Sequence, residues 1–202
     1  MMTMAMPHTP PADDRAGPRA ELERLVAQDP MAFRAFVVKN ERAVFGLLSR
    51  MLGRGPHVED LAQEAFLRAF RALPSFDPEG PAKVSTWLLT IVTRLALDER
   101  KRRKLAVAPD AEVEAVSDRG ASSPFRDRAR TELRAALEQA ARALPDDQCA
   151  ALVLAEVQGL SLAEVGEVLG VPEATAKTKV FRAREKMRAA LAAFGPKAEG
   201  SP

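Results

Sequence analysis

Apolar residues recur at intervals of three and four along most of this 202-residue chain, with polar residues between them. The clearest example lies between Met31 and Leu52, where Phe33, Phe36 and Val44 fall on one side of a helix. No stretch alternates with a period of two for long enough to predict a strand. The pattern therefore predicts an all-α protein.

Gly and Pro divide the pattern into separate helices and into two domains. A Pro-rich start predicts a disordered tail over 1–20, and Pro109 and Gly120 mark a flexible, acidic linker over 105–126. The linker joins predicted helical domains at 21–104 and 127–194, and 195–202 forms a second tail. The predicted helices are Glu21–Gln28, Met31–Leu52, Val58–Leu73, Thr86–Lys104, one from near Asp127 to Leu144, Asp146–Val157, and two more after Leu160.

The stretch LSLAEVGEVLGVPEATAKTKVFRAREKMR has the form of a helix-turn-helix. Ser161 and Glu164 are spaced as a capping box that starts a short helix, and Gly170 ends it. Gly166 is small enough for a second helix to cross closely, and Pro172 suits the first turn of that helix. The spacing predicts a unit that lays its second helix along nucleic acid.

Positive charge is clustered, although the net charge of the chain is only +2. One cluster is Arg100–Lys104, and the other lies on the last helix. A solvated basic helix is the simpler interpretation of such a run, but here the cap, the turn and the charge are in register, which favours DNA contact. If all six cations met phosphates, duplex binding would have a salt slope of about −5. The six are Lys177, Lys179, Arg182, Arg184, Lys186 and Arg188.

Other classes of function find no support in the sequence. The single cysteine, Cys149, excludes an internal disulfide and sits among apolar residues, so a packed thiol is expected. His8 and His57 lack cysteine companions, which argues against zinc. No phosphate loop or catalytic triad can be assembled, so we expect no enzyme, no metal and no cofactor. Without an apolar segment for a membrane, the expected location is the cytoplasm, at the nucleoid.

Three segments together resemble bacterial RNA polymerase sigma factors of the extracytoplasmic-function (ECF) type, which consist of regions two and four and a linker. They are VEDLAQEAFLRAFRALPSF, STWLLTIVTRLALDERKRRK and ALPDDQCAALVLAEVQGLSLAEVGEVLGVPEATAKTKVFRARE. The resemblance implies a protein that binds core RNA polymerase and directs promoter recognition, DNA melting and initiation, and it implies an anti-sigma partner. The alternative is a stand-alone helix-turn-helix regulator, which would usually dimerise on paired half-sites.

The resemblance also assigns site residues. Phe76 lies in the loop that takes flipped bases in the family, and stacking a base on its ring is worth about 1–3 kcal/mol. Phe66 is equally well explained as core, and a core role is favoured for Trp87. Thr93-Arg94 replaces a family Asn, which predicts altered minus-ten specificity. Core polymerase is assigned to Asp60, Leu61, Gln63, Glu64 and Phe66; the minus-ten element to Phe76, Lys83, Trp87, Arg94, Arg100 and Lys101; the minus-thirty-five element to Lys177, Thr178, Phe181 and Arg182, with Thr175, Lys179 and Arg184 on phosphate.

Overall fold

The structure is a computed structural model that describes residues 18–80, 82–106 and 124–192. Within these ranges it contains α-helices and one short 3₁₀ helix, Leu73–Ser75, and no strand. The predicted all-α class is confirmed. The helices are α1 (Pro18–Val26), α2 (Pro30–Leu52), α3 (Pro56–Ala72), α4 (Val84–Ala106), α5 (Pro124–Ala143), α6 (Asp146–Glu156), α7 (Leu162–Leu169) and α8 (Glu173–Ala190).

Most helix boundaries lie within a few residues of the predicted ones, and the differences have local causes. α2 begins at Pro30 and α3 at Pro56, one and two residues early, because proline is tolerated in a first helical turn. The Asp29 carboxylate caps α2 by accepting a hydrogen bond from the Met31 N–H at 2.8 Å. Pro172 was expected inside the first turn of α8, but it is the residue that precedes the helix.

The first four helices form a bundle around the middle of α2. Val44, Leu47 and Leu48 are fully buried there. α3, which packs against α2, buries the small residues Ala65 and Ala69, and small residues allow helix backbones to approach. α4 completes the bundle with Leu88, Val92 and Ala96. This bundle positions the polar face of α3 and both ends of α4.

The helix-turn-helix is formed by α7 and α8 as the sequence predicts. The Glu164 N–H donates to Ser161 Oγ, while the Glu164 carboxylate accepts from the Ser161 N–H at 2.9 Å, so the capping box is present. Gly170 ends α7 in the left-handed conformation, with φ 66°. A Cβ on Gly166 would lie 2.7 Å from the Val171 carbonyl oxygen. The turn is therefore tight because residue 166 has no side chain.

The two helical groups pack against each other in this structure. α4 contacts α6 and α7, α2 contacts α5 and α6, and the buried residues of both groups form one continuous core. We call this contact between α2–α4 and α5–α7 the seam. The centre of the predicted linker, 107–123, and the tail residues 1–17 and 193–202 lie outside the described residues. α4 and α5 extend into both ends of the segment predicted as a linker.

Candidate DNA and polymerase interfaces

The face of α3 assigned to polymerase is mostly accessible. Asp60 and Gln63 are exposed, and Glu64 is half-buried and pairs with Arg68 one turn later, at 2.7 Å. Leu61 is half-buried and packs against the core. Phe66 is only 9% exposed. Its side chain faces the core, so of the two interpretations of Phe66 the packing one fits this structure.

The loop between α3 and α4 presents its aromatic residue differently from the expectation. Phe76 is 8% exposed, and its ring centroid lies 5.3 Å from that of Trp87 at an interplanar angle of 59°. Trp87 is half-buried against the core, in agreement with the favoured core role. A base could stack on Phe76 only after the two rings separate. The sequence identified the aromatic but gave no signal that another ring covers it.

The basic end of α4 is largely engaged within the protein. Arg100, assigned to the minus-ten element, is 6% exposed. Its Nε donates to Asp146 Oδ1 at 2.6 Å, and its Nη1 donates to the Met51 carbonyl at 2.7 Å. The other terminal nitrogen donates to the Leu144 carbonyl at 3.2 Å. In this arrangement Arg100 is held within the seam, so it could contact DNA only after the seam opens, and its assignment to the minus-ten element stays a prediction.

Three other residues assigned to the minus-ten element are at the surface. Arg94 and Lys101 are exposed on α4. Lys83 is also exposed, and its Nζ donates to Glu164 Oε1 of α7 at 3.2 Å. Two of the assigned cations, Lys83 and Arg100, therefore contact the helix-turn-helix half of the chain instead of solvent alone.

A buried carboxylate that sequence reasoning missed organises the next turn of α4. Glu99 is 8% exposed and accepts hydrogen bonds from Arg102 at 2.8 Å and Arg103 at 2.7 Å. The bond from Arg102 is the main cause that lowers the pKa of Glu99 to about 2. Arg103 also donates to the Leu52 carbonyl at the end of α2. The charge run that looks solvated in the sequence is thus partly neutralised and fixed.

The outer face of α8 agrees with the predicted recognition face, which we define as Lys177, Thr178, Phe181 and Arg182. All four are exposed, and Phe181 has 62% of its surface accessible. The Thr178 hydroxyl donates to the Ala174 carbonyl at 2.9 Å, leaving its lone pairs as acceptors. The opposite face buries Ala176, Val180 and Ala183 against α6 and α7. The exposed face of α8 therefore combines an aromatic ring with two cations and a hydroxyl.

Two of the cations that were assigned to DNA phosphates form ion pairs within the protein. Lys179 pairs with Asp147 and Arg184 pairs with Glu156, both on α6. The hydrogen bond from Lys179 is the main cause that lowers the pKa of Asp147. Thr175 is exposed next to the recognition face. The phosphate contact of Thr175 stays a prediction, whereas Lys179 and Arg184 hold α8 against α6.

The thiol of Cys149 lies under the seam. The residue is 1% exposed, and Arg100 Nη1 approaches its sulfur at 3.4 Å. Burial raises the pKa of the Cys149 thiol. Among the residues that the structure describes, no group of three His, Cys, Asp or Glu side chains could hold a metal ion. No helix in the described ranges is long and apolar enough to cross a membrane.

Comparison with known proteins places both halves of the chain. The models for Sigma-70 region 2 and Sigma-70, region 4 match residues 36–105 and 134–187. The RNA polymerase sigma-H factor of Pseudomonas aeruginosa is 34% identical over 84% of this chain and 91% of its own length. The ECF RNA polymerase sigma factor SigW of Bacillus subtilis is 34% identical over 86% of this chain and 96% of its own.

Solved structures share the fold. CnrH, in complex with the cytosolic domain of CnrY, has a TM-score of 0.64 and 25% identity, covering 88% of this chain and 98% of its own. The sigma factor RpoE of Bartonella quintana, in complex with the anti-sigma factor NepR, has a TM-score of 0.60 and 22% identity, covering 79% and 96%. Because the two family models match successive parts of the chain, and because the ECF relative is 34% identical over most of its own length, the chain belongs to the ECF family of RNA polymerase sigma factors.

Proposed function

We propose that this sigma factor divides its contacts among three surfaces: the polar face of α3 for core polymerase, the loop before α4 together with α4 for the melted minus-ten strand, and the recognition face of α8 for the minus-thirty-five duplex. The observation that carries the proposal is the order of the two sigma regions together with the exposure of Phe181 on a basic helix. Nucleotide transfer belongs to the polymerase, so the chain itself needs no catalytic residue.

The α3 face suits a basic protein surface because Asp60, Gln63 and Glu64 offer acceptors on adjacent turns. The carboxylates are four residues apart, which places them one above the other on the helix. Their electrostatic contribution governs mainly the rate and the specificity of docking. Leu61, half-buried beside them, adds an apolar contact at the edge of the same face.

The recognition face suits a major groove, where an α-helix fits and base edges are distinguishable. Lys177 and Arg182 can donate to bases, and the ring of Phe181 can contact a thymine methyl group. Thr175, exposed next to this face, would contact a DNA phosphate. Each module alone binds weakly, and a polymerase that holds both increases the effective concentration of the second contact.

Core binding and promoter use are tested together. Asp60→Lys combined with Glu64→Lys should abolish co-purification with core polymerase and run-off transcription from promoters selected out of a genomic library. Glu41→Lys, an exposed carboxylate of α2 with the same change in charge, is the matched control and should leave both unchanged. Wild-type chain that ignores core polymerase but protects a palindromic duplex would instead support the stand-alone regulator.

An anti-sigma factor is the second partner that we propose. Both solved structures described above are complexes: CnrH is bound to the cytosolic domain of CnrY, and the sigma factor RpoE is bound to the anti-sigma factor NepR. A protein that co-purifies with this chain and suppresses its run-off transcription in proportion to its concentration would identify the partner. A location in the cytoplasm at the nucleoid follows from these partners and stays a prediction.

A further inference from the structure

The ionic centre of the seam is a single carboxylate oxygen at the start of α6. Asp146 Oδ1 accepts from Arg100 Nε at 2.6 Å and from Lys104 Nζ at 2.7 Å. The Arg100 side chain is 7% exposed and that of Asp146 is 27% exposed, so solvent screens this pair only in part. Two of the five consecutive basic residues of α4 therefore converge on one anionic group of the other module.

Further contacts fix the seam far from Asp146. Gln158, just after α6, donates from Nε2 to the Ala43 carbonyl of α2 at 2.9 Å. Elsewhere in the seam, Lys83 of the loop before α4 pairs with Glu164 at the start of α7. Between these points α4 packs against α7 and shares a continuous apolar core with it. The seam is thus an extended interface with a polar contact at each of three separated places.

This arrangement does not permit the two modules to read separate promoter elements. Because α7 packs directly on α4, the recognition face of α8 and the basic end of α4 lie in one body. Sites two turns of duplex apart are separated by about 70 Å. The seam must therefore open before both elements are engaged, and opening frees Arg100 and Lys104.

We infer that the free chain holds itself closed, with the Asp146 carboxylate occupying the place of a DNA phosphate on the basic end of α4, so that promoter DNA and Asp146 compete for Arg100 and Lys104. This inference rests on the proposed function, because it names the regulation of the same minus-ten surface. DNA would compete as a polyanion. The group that it must displace is a single carboxylate, which belongs to the same chain as Arg100 and Lys104.

A DNA phosphate can replace the Asp146 carboxylate because carboxylate and phosphate oxygens accept the same charge-assisted hydrogen bonds from Arg and Lys. Burial raises the pKa of Asp146, but the bonds from Lys104 and Arg100 outweigh it and lower the pKa overall. Asp146 is therefore anionic at neutral pH. Because it is part of the same chain, its effective concentration at α4 exceeds that of free DNA. Polymerase, by holding the modules apart, removes that advantage.

Cys149 allows the opening to be measured without polymerase. It is the chain's single cysteine, and it is buried beneath Arg100. A thiol reagent such as dithionitrobenzoate reacts only when the seam opens, so the reaction rate reports the open fraction. Asp146→Asn should raise the rate about tenfold, and Gln158→Ala, at the far end of the seam, on the order of fivefold. Asp147→Asn, which breaks the pair with Lys179 inside the helix-turn-helix half, is the matched control and should leave the rate unchanged.

The outcomes distinguish opening of the seam from two local effects, a changed pKa of the thiol and loosening of α8 from α6. Asp146 itself raises the pKa of the nearby thiol, so an acceleration by Asp146→Asn alone, with Gln158→Ala at the wild-type rate, would overturn the inference. Equal acceleration by Asp147→Asn would overturn it too, because that would indicate loosening of the helix-turn-helix half. Urea unfolding midpoints within error of the wild type ensure that global unfolding is not the cause of a faster reaction.

Single-stranded DNA tests the competition, because α4 is proposed to contact the melted strand. Adding a short single-stranded oligonucleotide should accelerate modification of the wild-type thiol several-fold, and the increment should shrink in Asp146→Asn, which is already open. A wild-type rate that does not respond to a saturating concentration of the oligonucleotide would refute the competition. A different outcome would be that the wild-type chain fails in run-off transcription while Asp146→Asn and Gln158→Ala still increase the rate of thiol modification. That outcome would refute the proposed function but would leave the closed state of the free chain supported.

Discussion

The ion pairs of α8 predict a weaker salt dependence for duplex binding than its charge suggests. Of its six cations, Lys179, Arg184 and Arg188 are each paired with a carboxylate, namely Asp147, Glu156 and Glu185. Each phosphate contact contributes about −0.9 to the slope of log affinity against log salt. Three contacting cations give about −2.7, instead of about −5 for all six. A fourfold rise in salt then weakens binding about 40-fold, instead of about 1,000-fold.

The assay compares single variants of the whole chain, so that cations outside α8 cancel. Fluorescence anisotropy of a labelled duplex, titrated at several salt concentrations, gives each slope. Lys177→Ala should reduce the slope by about 0.9. Lys179→Ala and Arg184→Ala should each leave it within about 0.2 of the wild-type value, because these cations are held on α6.

The result that would refute this reasoning is a reduction by Lys179→Ala as large as that by Lys177→Ala. It would mean that the pair with Asp147 exchanges for phosphate when DNA arrives, as weak surface ion pairs can. Thermal unfolding followed by circular dichroism serves as the control, since loss of an ion pair can also loosen α8 from α6.

Three further predictions concern the scaffold. Gly166→Ala should lower the free energy of unfolding by about 1–3 kcal/mol in urea titrations, because the new Cβ would lie 2.7 Å from a carbonyl oxygen; a change below about 0.5 kcal/mol would contradict the close approach. Ser161→Ala should cost about 1 kcal/mol through loss of the cap, measured likewise. Since the folded pKa of Glu99 is about 2, below its usual 4.5, its stabilising effect is complete above pH 4.5 and is lost as pH falls towards 2. Glu99→Gln should flatten stability against pH across that window.

Sequence reasoning succeeded where the signals are local. Ser161, Glu164 and Gly170 set the limits of α7 through contacts within a few residues, so the spacing alone predicted the capping box and the left-handed end. The exposed face of α8 followed in the same way, because helical periodicity separates Val180 from Phe181. These features needed no knowledge of the rest of the chain.

The seam could not be predicted because its partners are far apart in the sequence. Arg100 meets Asp146 across 46 residues and Gln158 meets Ala43 across 115. A run of cations looks the same in sequence whether it faces solvent, phosphate or a carboxylate. The burial of Phe76 could not be predicted for a similar reason, since its ring packs on that of Trp87, which lies outside its own loop. The assignment of DNA-contacting residues therefore depended on tertiary packing that periodicity does not encode.

The Glu164 side chain makes two contacts: it accepts the Ser161 N–H in the capping box of α7, and it pairs with Lys83 of the loop before α4. Glutamine would still accept the Ser161 N–H but would carry no charge for the lysine. We therefore expect that a relative with glutamine at this position keeps its helix-turn-helix intact, while its seam opens more readily. A one-atom difference at position 164 would tune the resting state of the molecule and leave its reading of DNA unchanged.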